Sequence, residues 1–382
     1  MNAILLQPRR LDDQRRLLLV VVLSLCGLGV ASVYSSASGD MELLKKHLVF
    51  LCLACASIGF TAAIPLHSYR KLAPVLYGIA VILLMLVLVP GLGTKIGGAR
   101  RWFRLGPVNF QPSEFMKFAM VIAVAAWCAS RGPDRIRTWF RGFFPAVVLT
   151  GLPIFLVAVE PDVGTAIFLT ATAWVMLFVA GISLKHVIPT ACVVIPLAGM
   201  VVIERFGHVA RRIEVFLHPE RDPQGKGHQI LQSMIGLGSG NTSGVGVGLG
   251  NQKRQFLPEA STDFIYSSMG EEVGFLGCTL TLVLFALLLT CGARIALSAI
   301  DPFAATLALG ATFALVFQAA INMAVTTAIL PTTGIALPFI SYGGSSLVTS
   351  GALVGLLMRV GGERGKVRPW PGDETFAQPE LV

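Results

Sequence analysis

The chain has 382 residues, of which 54% are hydrophobic and only 13% charged, and its mean hydropathy is +0.73. A soluble domain carries about 25% charged residues, so a water-soluble enzyme is excluded and a polytopic membrane protein is indicated. The formal charge of +9 lies in loops, and no basic, aromatic-rich soluble domain is present to hold nucleic acid.

Apolar runs close to the ~20 residues that cross a hydrocarbon core predict about ten helices, an all-α polytopic fold. Arg9, Arg10, Arg15 and Arg16 precede span one (17–37) and assign residues 1–16 to the cytoplasm. That run lacks a cleavage site and is long enough to stay as a span. Spans two (47–64) and three (72–90) flank the basic turn at Arg70 and Lys71. An outer loop, 95–113, leads to span four (114–130), and Arg131, Arg135, Arg137 and Arg141 make the next inner loop strongly basic. Spans five (143–159) and six (163–180) meet at Glu160-Pro161-Asp162 on the outer side. Span seven (187–204) opens into a large extracytoplasmic loop, 205–262, followed by spans eight (263–291), nine (303–324) and ten (347–360). The membrane domain is thus 17–360, and 361–382 form a cytoplasmic, disordered tail. All seven cysteines fall in apolar runs and read as small buried residues; Cys52 and Cys55 carry the CxxC spacing without a second pair.

Two outer loops break the positive-inside trend. One holds Lys95, Arg100, Arg101 and Arg104; the other holds Arg205, Arg211, Arg212, Lys226, Lys253 and Arg254. Cations on that side suit an anionic headgroup, above all a phosphate or pyrophosphate. The plain alternative for the first cluster, with Trp102, is an interfacial anchor.

Asp263 lies where the large loop becomes span eight, with Ser261 or Thr262 as the expected N-cap. A carboxylate there meets both water and headgroups and is placed to take a proton from a bilayer-anchored substrate; its plain alternative is helix capping. Asp162 shares that membrane side and depth, and it too has a capping alternative, at span six. Two carboxylates facing one cavity suit acid–base or metal-assisted glycosyl chemistry. Glu114 and Lys117 lie three apart on one helical face and are expected to pair as support for the site, with Ser113 or Gln111 as the cap. Gly236 to Gly250 fits neither a P-loop nor a dinucleotide motif and reads as a flexible or re-entrant segment. The segment Leu330 to Ser346, broken by proline and glycine, offers backbone donors and the hydroxyls of Ser341, Ser345 and Ser346 to a ligand.

Arg100-Arg101-Trp102, Gln111-Pro112-Ser113-Glu114 with Lys117, Glu160-Pro161-Asp162 with Gly164-Thr165, Leu257-Pro258-Glu259 with Thr262-Asp263, Gly270-Glu271-Glu272 and Pro338 to Ser346 together closely resemble the SEDS family of FtsW, RodA and SpoVE. The match runs in order through nearly the whole chain. Within the family, Asp222 to Gly240 resembles the division-type loop, whereas Phe339-Ile340-Ser341 is closer to the elongation type. Ser261 stands where the family commonly has His.

The resemblance implies a ten-span glycosyltransferase of the cytoplasmic (inner) membrane that polymerises lipid II on its outer face, with both termini cytoplasmic. Asp263 is the implied general base. Arg100, Arg101 and Arg104 would hold the pyrophosphate, and Glu114, Lys117, Asp162, Glu259, Thr262, Ser341, Ser345 and Ser346 complete the implied substrate site. A divalent cation, Mg or Mn, would find its ligands in Asp162 and Asp263. Implied partners are a cognate class B penicillin-binding protein, other divisome proteins and membrane lipids. A lipid II flippase, or a non-catalytic scaffold for the transpeptidase, are the readings of a different class.

Overall fold

The computed structural model describes residues 8–36, 41–96, 99–106, 108–192, 207–222, 225–252, 257 and 259–363. The expectations for the tail beyond 363, for Gly97, Arg205, Lys253, Arg254 and Pro258, and for most of span seven lie outside the described residues, as does the side chain of Lys226.

Helices dominate because lipid leaves a spanning backbone no other hydrogen-bond partner. They are α1 (Pro8–Ser36), α2 (Met41–Ala63), α3 (Leu66–Leu88), α4 (Pro112–Ala129), the short α5 (Pro133–Ile136), α6 (Phe144–Val159) and α7 (Val163–Val179). After them come α8 (184–192), α9 (Gly207–Leu217), α10 (Lys226–Ser239), α11 (Ile265–Ser298), α12 (Pro302–Thr326) and α13 (Gly344–Gly361). Eight helical stretches among the described residues are long and apolar enough to cross a membrane, and α7 is a shorter apolar helix. This is a multi-pass membrane protein.

Burial separates the core from the lipid-facing shell. In α4, 83% of the apolar window is buried, and in α12 61%, against 11% in α2. Helices α4 and α12 form the centre, packed on each other and flanked by α3, α7, α11 and α13. Helix α2 is held from outside by α13, where Gly355 lets the backbones close on Thr61 and Ile58. Ser57 then donates to the Val348 carbonyl at 3.0 Å and Thr61 to that of Ala352 at 3.1 Å, the small-residue packing that joins helices in lipid.

The structure departs from the expected loops in three places. Residues 94–110 form a three-stranded antiparallel meander, β1 (Thr94–Ile96), β2 (Ala99–Leu105) and β3 (Val108–Phe110), instead of an irregular loop. Much of 205–262 is folded into α9 and α10. Helix α11 starts at Ile265 with Phe264 at its N-cap and no side-chain cap, so Ser261 and Thr262 do not cap it. Glu259 to Phe264 instead form consecutive turns. Gln111 occupies the N-cap position of α4, again without a side-chain capping bond, and Ser113 does not supply one either.

Candidate functional site

The segment 331–343 has no regular structure, so its carbonyls and amides must find partners in side chains around it. Asn322 of α12 bridges two strands of chain, donating to the carbonyls of Ile335 and Asp263 at 2.8 Å each. Ser341 donates to the Thr262 carbonyl at 2.6 Å and accepts from the Leu337 amide, while the Tyr342 amide bonds the Ser261 carbonyl at 2.9 Å. The broken segment and the turn before α11 are therefore one unit. Gly334, at φ +78°, passes beside Asp263: a Cβ there would stand 3.6 Å from Asp263 Oδ2.

A second side of the same region comes from the 160–162 turn. Asp162 accepts from the Thr165 amide at 3.2 Å and from its hydroxyl at 3.0 Å, so it caps α7, and its Oδ2 also receives Gln111 at 3.5 Å. Arg101 reaches from β2 to the carbonyls of Glu160 and Pro161 and lies 3.7 Å from Asp162. The sequence grouped Arg100, Arg101 and Arg104; a strand splits them, because alternate residues face opposite ways. Arg101 is taken up by the turn, whereas Arg104 on the other face is exposed.

Glu160 is fully buried, and neither of its oxygens has a hydrogen-bond partner among the described residues. Burial, reinforced by Asp162 and only partly opposed by Arg101, pushes its carboxyl up to about 9. It carries a proton at neutral pH.

Arg212 of α9 closes the ring. It is half-buried, and its Nη1 lies 3.5 Å from the Thr332 carbonyl. Burial and the charge of Arg101 push its pKa down, while Asp162 and Asp263 pull it back. One guanidinium thus lies within electrostatic reach of both carboxylates. Sequence reasoning counted Arg212 only as one of six cations in a long loop; its spacing in α9 held no signal for this position.

Behind the ring, Lys117 pairs with Glu114 at 2.7 Å, donates to Gln318 at 3.1 Å and sits over the Phe168 ring. Gln318 passes the contact on to Ser346 at 3.0 Å and to the Ala336 carbonyl at 2.9 Å. Lys117 and Glu114 are buried, so they brace the broken segment from within. Ser345 accepts from the Gln111 amide and lies 3.2 Å from the Asn109 carbonyl, fastening α13 to the sheet. Thr262 donates to Glu259 at 2.7 Å, within the turn itself.

The donor set does not form a metal cluster: among the described residues no three acid, histidine or cysteine side chains converge. Asp162, one of the two expected cation ligands, has both oxygens engaged by Thr165 and its neighbours.

Known proteins match this chain over nearly its full length. A family model described as cell cycle protein, covering FtsW, RodA and SpoVE, matches residues 15–366. The probable peptidoglycan glycosyltransferase FtsW of Trichlorobacter lovleyi is 40% identical over 368 residues, covering 94% of this chain and 96% of that protein. Stage V sporulation protein E of Bacillus subtilis is 36% identical, over 90% and 96%. Among solved structures, a chain from a peptidoglycan synthase complex studied for coordination of polymerization and crosslinking superposes with TM-score 0.77 at 31% identity, over 90% of this chain and 96% of that one. The rod shape determining protein RodA of Thermus thermophilus gives TM-score 0.66 at 28% identity, over 90% and 95%. Matched by the family model over residues 15–366 and by relatives of 36–40% identity along nearly its whole length, the chain belongs to the FtsW/RodA/SpoVE family of cell cycle proteins.

Proposed function

We propose that this protein is a peptidoglycan glycosyltransferase that polymerises lipid II on the outer face of the cytoplasmic membrane, with Asp263 as general base. The observation that carries the reading is Asp263 beside the glycine at 334, with the half-buried cation Arg212, held near the Thr332 carbonyl of the same broken segment, in electrostatic reach. In the reaction, Asp263 takes the proton from the acceptor 4-hydroxyl as that oxygen attacks C1 of the donor sugar. The new O4–C1 bond forms while the bond from C1 to the pyrophosphate oxygen breaks. Undecaprenyl pyrophosphate leaves, and its charge is met by arginines: Arg104 is exposed and Arg100 half-buried on β2. Arg101, Asp162, Ser341, Ser345 and Ser346 serve by fixing the walls.

FtsW names among the relatives favour a septal, cell-division role, with a class B penicillin-binding protein supplying the crosslinking that this chain has no motifs for. Lipid II polymerisation by the purified protein tests the reading. A positioned base contributes about 10²–10⁴ in rate, so Asp263→Ala and Asp263→Asn should lose glycan strands to that extent while keeping the wild-type melting profile. Near-wild-type strand synthesis by either variant removes Asp263 from the role. Detergent-solubilised lipid II needs no translocation, so strands made from it also separate a polymerase from a flippase.

A further inference from the structure

At the end of the bundle remote from Asp263, α3, α4 and α6 leave an apolar groove of about 480 Å³ lined by Tyr77, Trp127, Phe144, Val148, Leu149 and Leu152. From Phe144 to Leu152 it follows α6 for roughly 12 Å at the helical rise per residue. The one hydroxyl in its wall is spent internally, since Tyr77 donates to the Leu149 carbonyl at 2.7 Å. Beyond the single indole N–H of Trp127, the lining is apolar and offers no set of polar groups for a sugar or a peptide.

The mouth of this groove is cationic. Arg131 lies over the Trp127 ring at 5.6 Å, so a groove wall and a guanidinium are physically joined. Arg141 precedes Phe144 by three residues on the π-helical turn Trp139–Phe143 that leads into α6. Arg70 of α3 donates to the Ala129 carbonyl at 3.2 Å, bringing the start of α3 to the same end. Arg135, Arg137 and Arg141 are exposed, and Asp134 is the single acid between 131 and 141. Among the described residues, no ion pair engages any of these arginines. Exposed Phe140 and Trp139 stand beside them in the chain, aromatic side chains of the kind that favour a membrane interface.

We propose that this groove is a binding site for one anionic glycerophospholipid, with an acyl chain against α6 and its phosphate at Arg131 and Arg141. Lipid tails are as apolar as the groove, so the groove alone selects nothing in a membrane. Selection comes from the headgroup: a basic pocket between spanning helices favours anionic over zwitterionic lipid. The site is separate from the glycosyl chemistry and stands whether or not that reading holds.

The test is native mass spectrometry of the full-length protein in detergent, exchanged with equimolar dioleoyl phosphatidylglycerol and dioleoyl phosphatidylcholine. The wild type should retain phosphatidylglycerol over phosphatidylcholine by about fivefold or more, the weight of one or two guanidinium contacts. Arg131→Gln/Arg141→Gln, both outside the helix core, should bring the two lipids to parity. Val148→Trp, at a half-exposed groove position, should lower both adducts together. Equal retention by the wild type, or an unchanged preference in the double variant, overturns the proposal. So does a polyprenyl-phosphate adduct that phosphatidylglycerol does not displace, or a groove variant that keeps both adducts at wild-type level with an unaltered melting profile.

Discussion

Glu160, beside Asp162 at a span end, is fully buried with both oxygens unbonded among the described residues. Its proton leaves the unfolded chain near pH 4.5 but leaves the fold only near 9. Between those values the folded state binds more protons, so stability falls as pH rises across the window and levels off above it. Glu160→Gln removes the ionisation; its melting temperature should match the wild type at pH 4.5 and exceed it at pH 8, by on the order of 5 °C. Parallel pH profiles for the two proteins would contradict this. Lys117 is the reverse case, since its i,i+3 spacing from Glu114 announced the pair. What the spacing could not announce is Gln318, an amide in an apolar run 201 residues away that carries the contact on to the broken segment. Lys117→Met leaves Glu114 buried without its cation and should cost about 3–5 kcal/mol, which the double change Glu114→Gln/Lys117→Met should largely restore. Unfolding midpoints of the three proteins decide it, and equal losses in single and double variants would refute it.

The start of α11 organises the glycine-rich stretch that precedes it. Glu271 accepts from the amides of Asn251 and Gln252 at 2.8 and 3.0 Å, and Glu272 accepts from Ser35 of α1 at 2.5 Å. Gly274, at φ +66° and ψ −164°, breaks the helix there so that the Thr242 to Gly244 turn can lie against it. The alternation of glycine with small residues reads as a flexible or re-entrant segment, and its glycines let the backbone close on Gly270 and Glu272. The partner of that element was not readable, since two adjacent glutamates in an apolar helix carry no mark of what they bind. Glu271→Ala should open the stretch: hydrogen exchange at Asn251 and Gln252 should speed up by roughly 10-fold or more, the loss of two charge-assisted bonds, while α12 amides stay protected. Unchanged exchange there would show that glycine packing alone holds the element. The meander at 94–110 was missed for a related reason. Its strands are too short, and too rich in arginine, for alternation to register.

For the whole molecule, lipid makes fold class the easiest property to read, because every span must be an apolar helix. Sidedness is a separate matter, set by loop charge, and it decides what chemistry Asp263 can perform. The sheet, the 160–162 turn and the broken segment are tied to one another at one end of the bundle by Arg101, Ser345 and Ser341. The arginines at 131–141 follow α4 at the other end, where Arg70 meets the Ala129 carbonyl. The positive-inside trend assigns the arginine-rich end to the cytoplasm, and the sheet end then faces out. Single cysteines introduced at Arg104, Asn109 and Arg137, all exposed, should report this with a membrane-impermeant thiol reagent. Of the native cysteines, Cys26, Cys128, Cys278 and Cys291 are buried as expected, but Cys52, Cys55 and Cys192 are exposed on apolar helices, so the unsubstituted chain supplies the background. Arg104→Cys and Asn109→Cys should label on intact cells, and Arg137→Cys only after permeabilisation. The opposite pattern would put Asp263 against the cytoplasm, where an acceptor strand being built outside could not reach it, and the outer-face polymerase reading would fall with it.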